Sequence, residues 1–367
     1  MHLYLETNDL NAGILSVIKA LPVRSSMAIL DGIHMEAKDN TLILKCSDLM
    51  LQKECVVPAE VEKEGTSIVP GKLFSEILRK MPSGRIEIRA DGKTLNIQSE
   101  KVKTSVQCIE YETFPEMRFS GDTYPVEVNA KELSDMILKT VFATSQDEAK
   151  PILTGALMEI SDSIRFVATD SYQFALRQKK LDREYAQREM IIPGKSLIEI
   201  ARMMEEGEEE NADLLFTSTH VKVKREGVTL TARLLEGDYI KYRQIIPSTC
   251  KTRVTLDRTA LMEGIDRAQL MAREGNSNII MSFQNDLLTI SSKNASGELE
   301  EEVPCTVVGD DLRIAFNPRY CMNILKNIED EKICMEFITN ISPAVIRPLE
   351  GEEYYYLIVP VRIYAQY

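Results

Sequence analysis

The sequence has no tryptophan, only three histidines, and no apolar run long enough to cross a bilayer. Its start lacks the charged-then-apolar pattern of a secretory leader, so neither a membrane span nor a signal peptide is expected. Seven cysteines are scattered, odd in number and never spaced C-x-x-C, which argues against a disulfide framework and for a reducing cytoplasm. His2, His34 and His220 are far apart in sequence, so no metal site is expected. G-x-S-x-G, H-E-x-x-H and G-x-G-x-x-G are absent, and with them any catalytic constellation or expected cofactor. Positive charge is short: 44 Lys+Arg stand against 57 Asp+Glu, a net charge of −13. Taken alone, that opposes nucleic-acid binding, but net charge does not say where charges sit.

What the sequence does have is itself, three times. Val69-Pro70-Gly71-Lys72 returns as Ile192-Pro193-Gly194-Lys195, and Phe316-Asn317-Pro318-Arg319 follows, at intervals of 123 and 124 residues. The stretches starting at Leu30, Leu153 and Ser277 keep the same intervals. Helix-like segments from Asn8, Ala130 and Arg258 form a third marker. Agreement of three markers on one period argues for triplication, with each copy the size of a domain. The expected domains are 1–122, 123–250 and 251–367. Each copy reads as strand, helix, four strands, helix, three strands, so the fold class is α+β with two similar halves per domain. Asn8 or Asp9 is the expected N-cap of the first helix, and Lys38-Asp39-Asn40 the expected hairpin turn.

Gly194-Lys195-Ser196 imitates the end of a phosphate loop, but Glu189 stands where that loop needs glycine. The helices it belongs to are more telling. Leu73, Phe74, Ile77, Leu78 and Met81 form an apolar stripe opposite Lys72, Ser75, Glu76, Arg79 and Lys80. Leu197, Ile198, Ala201 and Met204 oppose Lys195, Glu199 and Arg202, and Tyr320, Ile324, Leu325 and Ile328 oppose Arg319, Asn323 and Lys326. One such polar face is ordinary solvation. Three equivalent helices with basic residues in an acidic chain point to a shared anionic partner.

ATDSYQFAL, LLEGDYIKYRQIIP and a terminal YYLIVPVRI, set in three tandem copies, resemble the bacterial sliding clamps, the β subunits of DNA polymerase III. The resemblance covers essentially the whole chain. It implies a head-to-tail homodimeric ring, sheets outside and helices lining a hole around double-stranded DNA, held without base readout. The DNA-facing set it suggests is Arg24, Lys72, Arg79, Lys80, Lys139, Lys150, Lys195, Arg202, Arg267 and Arg273. For ring closure it suggests a basic edge, Lys101 and Lys103 with Val106, meeting Leu270, Met271, Glu298, Glu300 and Glu302. Edge protection is the alternative reading of the two lysines.

The resemblance also implies a peptide groove between the second and third domains, for the polymerase III α subunit, the clamp loader and other replication and repair proteins. Matched positions are Leu153, Thr169, Ser171, Tyr172, Gln173, Phe174, Ile240, Gln244 and Ile245. Asn317, Tyr320, Ser342, Ala344, Leu357, Val359, Pro360, Val361 and Arg362 complete the set. Two departures stand out. Gln173 occupies a position where the family commonly has arginine, and Tyr364-Ala365-Gln366-Tyr367 extend past the usual end. The rival readings are a nucleotide-dependent enzyme using Gly194-Lys195-Ser196 and a repeat scaffold that binds proteins only.

Overall fold

In each repeat a half-buried strand runs straight into a helix. The strands His2–Glu6, Tyr124–Asn129 and Thr252–Asp257 alternate buried with more exposed residues, as one-sided packing requires. Among the described residues the six α-helices are α1 (Thr7–Val17), α2 (Gly71–Arg79), α3 (Ala130–Val141), α4 (Gly194–Glu206), α5 (Arg258–Ala272) and α6 (Pro318–Leu325). The computed structural model describes residues 1–110, 113–206, 210–272 and 278–363. Arg273 and the segment Tyr364–Tyr367 lie outside the described residues.

The second and third repeats follow the expected element order, while the first carries one additional short strand, Glu60–Lys63. Strands pair antiparallel into sheets of five, eight and twelve. The chain divides into two compact units. One, Met1–Ser134 with Glu199–Leu234, contains the five- and eight-stranded sheets; the other, Asp135–Ile198 with Leu235–Tyr367, contains the twelve-stranded sheet. Both larger sheets cross a repeat boundary. Leu51–Pro58 pairs with Val228–Arg233, and Gln173–Lys180 pairs with Tyr354–Ile358.

Packing follows the apolar stripes. Leu10, Ile14 and Val17 are fully buried on α1, each side chain contributing about 1.5–3 kcal/mol of transfer free energy. The turn at Asp39 and Asn40 is present, both residues with positive φ (50° and 55°). The glycine shared by the two P-G-K segments serves close packing. A Cβ on Gly71 would lie 2.5 Å from the Leu21 side chain, and one on Gly194 would lie 3.1 Å from the Thr154 carbonyl.

Three local expectations are corrected. α1 starts at Thr7, not after Asn8 or Asp9, because the Thr7 N–H and hydroxyl both donate to the Gly84 carbonyl (2.9 and 2.8 Å). Leu73 is 50% exposed: Phe74 and Leu78, one turn apart, take the buried face of α2. Glu199 is buried instead of solvated, with its carboxylate 3.1 Å from the ammonium of Lys53 and bonded also to Arg202. Burying that charge requires a partner, and Lys53 supplies it from a strand distant in sequence.

His34 gives the fold an acid limit. It is buried against Phe114, ring centroids 5.0 Å apart. Burial, helped by Lys45, holds its pKa below 6.5, while Glu36 and Glu116 act weakly the other way. The unfolded chain therefore takes up a proton that the folded chain resists, and stability falls as pH drops below about 6.5. His220 is shifted in the same direction by burial and Arg233. Carboxylates held low by partners, such as Glu87 and Glu116, act only as pH falls below about 4.5, so the windows separate. Urea midpoints are expected to fall between about pH 7 and 5.5, and less steeply for His34→Phe. Equal slopes in the two proteins would remove His34 from this account.

Candidate functional site

The groove suggested by sequence falls within one compact unit, which allows it to be built residue by residue. Its floor belongs to a core cluster of Leu157, Val167, Phe174, Leu176, Ile191, Tyr242, Val345 and Leu357. Phe174 and Leu357 face each other across the join of the second and third repeats. Tyr172, Ile245 and Val359 emerge beside this floor, 57%, 43% and 41% exposed. Exposed apolar groups over a packed apolar floor form a surface that loses little entropy on receiving a ligand side chain.

Each sequence motif proves to hold one wall. In ATDSY, the Asp170 carboxylate accepts the backbone N–H groups of Tyr172 (2.8 Å) and Gln173 (2.9 Å), and Thr169 Oγ1 accepts that of Ser171 (3.1 Å). Ser171 takes a positive φ of 82° at this tight turn. The turn presents the ring of Tyr172, which stacks on Tyr320 with centroids 5.8 Å apart. In GDYIKYR, Gly237 has φ 134° and runs so close to Ile152 that a Cβ would lie 2.9 Å from it. Tyr242 then donates to Glu159 (2.8 Å), and Arg243 contacts both oxygens of the same carboxylate (3.0 and 2.7 Å). Glu159, Tyr242 and Arg243 pin the segment bearing Ile240, Gln244 and Ile245. Sequence reading missed that clamp, because Glu159 looks like one more polar strand residue. In the terminal segment, Val359 and Val361 donate their N–H groups to Tyr172 (2.9 Å) and Ala315 (2.8 Å), with Pro360 between them.

Other suggested groove residues divide. Leu153 is half-buried, Ser342 shares a hydroxyl contact with Thr339 (2.7 Å), Ala344 is buried, and Arg362 is exposed. Asn317 caps α6, accepting from the Arg319 N–H (3.0 Å), so it orients a helix. Gln173 is buried, donating to the Asp170 carboxylate (3.1 Å) and the Phe142 carbonyl (3.5 Å). It stitches the turn instead of offering a polar contact at the surface.

The turn recurs once per repeat. Asp48 accepts from the N–H groups of Met50 (3.0 Å) and Leu51 (2.7 Å), Ser47 Oγ accepts from Leu49 (3.1 Å), and Leu49 has φ 71°. Asn294 accepts from Ser296 (2.8 Å) and Gly297 (3.0 Å). After the first turn, Arg233 donates to the Met50 carbonyl (2.8 Å), as Val359 does to Tyr172. Yet the positions matching Phe174 and Leu357 are there Gln52 and Thr231, and Gln52 is occupied by the N–H of Met117 (3.0 Å). The same scaffold thus carries an apolar floor at the later boundary and a polar, self-satisfied one at the earlier.

After the third turn the strand Gly297–Gly309 follows, but no strand of another repeat joins its first half among the described residues. Among the described residues, 297–304 of the strand Gly297–Gly309 pair only with Leu287–Asn294. Among the described residues, the last strand of the first repeat, Lys103–Gln107, pairs only with Thr94–Gln98. Lys103 is exposed on it and Lys101 just before it, as are Glu298, Glu300 and Glu302 on the other. Leu270 is 56% exposed and Met271 half-buried. Val106 offers no side chain to a contact: at 2% exposed, it points into its own core, which leaves its backbone alone on the edge.

The basic residues also divide. Arg24, Lys72, Arg79, Lys80 and Lys150 are exposed and meet no carboxylate among the described residues; Lys195 is exposed. Lys139 is corrected: its side chain is only 13% exposed, bonded to Asp135 and to Glu329 (2.9 Å). Arg267 makes a two-pronged contact with Glu301 (2.8 and 2.6 Å), and Arg202 is bonded to Glu199.

Comparison with known proteins gives one family. The model for the DNA polymerase III beta subunit matches in three parts, its N-terminal domain at residues 1–118, its central domain at 127–241 and its C-terminal domain at 243–362. The beta sliding clamp of Bacillus subtilis strain 168 is 31% identical over 382 residues, covering 99% of this chain and 100% of its own. A beta sliding clamp of Staphylococcus epidermidis is 31% identical over 373 residues, 97% of each chain. The crystal structure of the Bacillus subtilis DNA polymerase sliding clamp superposes with a TM-score of 0.93 at 30% identity, covering 99% of this chain and 100% of that one. A putative DNA polymerase III beta subunit from Eubacterium rectale gives 0.94 at 28% identity, with the same coverage.

Proposed function

The chain belongs to the DNA polymerase III beta subunit family, and from that premise we propose how its residues perform the work of a sliding clamp. A sliding clamp is a processivity factor, not an enzyme. Its three clamp domains are here bounded near residues 122 and 250, the second boundary just before the strand Thr252–Asp257.

Two chains close into a ring around duplex DNA, and the repeat itself supplies the register. Equivalent hydrogen bonds from Ile109, Leu235 and Val361 to Ile68, Ile191 and Ala315 align Val106 with Ala232 and Ile358. Ala232 lies opposite Leu51, three residues after Asp48, and Ile358 lies opposite Gln173, three after Asp170. By the same rule, Val106 of one copy lies opposite Gly297 of another, three after Asn294. That register sets Lys103 against Glu300 and Lys101 against Glu302. Leu270 then takes the position of Phe142, which packs 5.9 Å from the ring of Tyr356. The missing third strand, with a matching unpaired strand of complementary charge, is the observation that carries the reading. A head-to-tail contact of this kind closes after two copies.

The groove beside Phe174 receives short partner peptides through one apolar side chain at a time, aided by backbone pairing. The polymerase III α subunit, the clamp loader and repair proteins with clamp-binding motifs are the proposed partners. Two grooves per ring favour bivalent partners. The test is topological. Protein placed on nicked circular DNA is expected to stay until the circle is cut, and release at the same rate from intact and cut circles would refute the ring. A rival reading as a scaffold for proteins alone predicts that equal release.

A further inference from the structure

The six helices are not equally charged. α2 with the residue after it carries Lys72, Arg79 and Lys80 against Glu76 alone. α3 balances Lys131 and Lys139 with Glu132 and Asp135, and α5 balances Arg258 and Arg267 with Glu263 and Asp266. α4 has more acid than base. Contacts deepen the contrast. Arg267 is engaged by Glu301 and lies 3.7 Å from Glu263, Lys139 is engaged by Asp135 and Glu329, and Arg202 by Glu199. The pKa of Glu301 is pulled down by Arg267 and that of Glu329 by Lys139, so these acids stay ionised at neutral pH. A cation already facing a carboxylate releases few counterions when a phosphate arrives, and so adds little affinity.

We propose that the first domain carries the largest share of the grip on duplex DNA, through Arg24, Lys72, Arg79 and Lys80, while acids within the fold silence Lys139, Arg202 and Arg267. This rests on the clamp reading. A ring of two chains then holds the duplex chiefly by two cationic patches, one per chain, instead of six even ones. Its acidic partners are the device that keeps attraction weak enough for sliding.

The experiment measures binding of the full-length protein to short linear duplexes across a salt series. Replacing Arg24, Lys72, Arg79 and Lys80 by alanine is expected to flatten the plot of log affinity against log salt by about 0.9 for each phosphate no longer neutralised. Lys139→Ala and Arg267→Ala are expected to leave the slope unchanged. Glu263→Gln with Glu301→Gln is expected to steepen it by about 0.9, as Arg267 is released. An unchanged slope in the fourfold variant, or flattening by Arg267→Ala of the same size, would overturn the proposal. Retention of each variant on nicked circles until cutting reads the clamp mechanism separately. Loss of retention in the unaltered protein would fail that reading, whatever the slopes.

Discussion

Reversing Lys101 and Lys103 to glutamate is expected to convert rings into single chains at concentrations where the unaltered protein is dimeric. In the proposed register each lysine lies directly opposite a glutamate across two newly paired strands. Cross-strand pairs of opposite charge contribute about 0.2–1 kcal/mol each, and like charges oppose by similar amounts. Two reversals therefore cost about 1–3 kcal/mol per interface. Two copies joined head to tail have two interfaces, both altered, so the dissociation constant of the ring rises roughly thirtyfold or more. Sedimentation velocity would show the shift, and retention on nicked circles would shorten with it. Reversing Glu300 and Glu302 to lysine in the same chain restores every pair. If that fourfold variant stays monomeric, the register is wrong. Lys101 and Lys103 are both exposed, so the change spares the core. If the lysines only protect an edge, glutamate protects it equally well and the dimer is unmoved.

The same lysines show how far a sequence can be read. The triplication was legible because helix openings and hairpins repeat at one interval, and local spacing picks out most residues of the apolar stripes, Leu73 apart. What local spacing cannot register is a partner far away in the chain. Glu199 reads as a solvated helix residue until Lys53 appears beside it. Lys139 and Arg267 read as cations offered to DNA until Glu329 and Glu301 take up their charge. Asn317 and Gln173 read as peptide contacts, yet one caps a helix and the other ties a turn to Asp170. The motifs themselves were visible; their work was not. In ATDSY, Asp170 ties a turn through the two N–H groups it accepts. The clamp of Tyr242 and Arg243 on Glu159 has no local signature at all.

Replacing Ile245 and Val359 together by alanine is expected to weaken binding of a single clamp-binding peptide roughly ten- to a hundredfold, with ring stability unchanged. The two repeat boundaries differ where this groove lies. Both carry the same turn, the same strand join and the same closing hydrogen bond, to Met50 in one and Tyr172 in the other. Only the later boundary has phenylalanine and leucine where the earlier has Gln52 and Thr231. A scaffold used twice, but made apolar once, has been specialised at that place. Phe174 and Leu357 cannot test this, since both are buried and their loss would open cavities in the fold. Ile245 and Val359 are more than one-third exposed in the free protein, so their truncation costs little folding stability and removes apolar area only when a ligand covers them. Covering such a side chain contributes about 1.5–3 kcal/mol, of which alanine retains a part, hence the expected range. Titration of one labelled peptide gives the affinity, and sedimentation of the same sample gives the ring. Undiminished affinity would remove the groove from this face. Unfolding or monomerisation would show instead that Ile245 and Val359 belong to the packing that joins the last two domains.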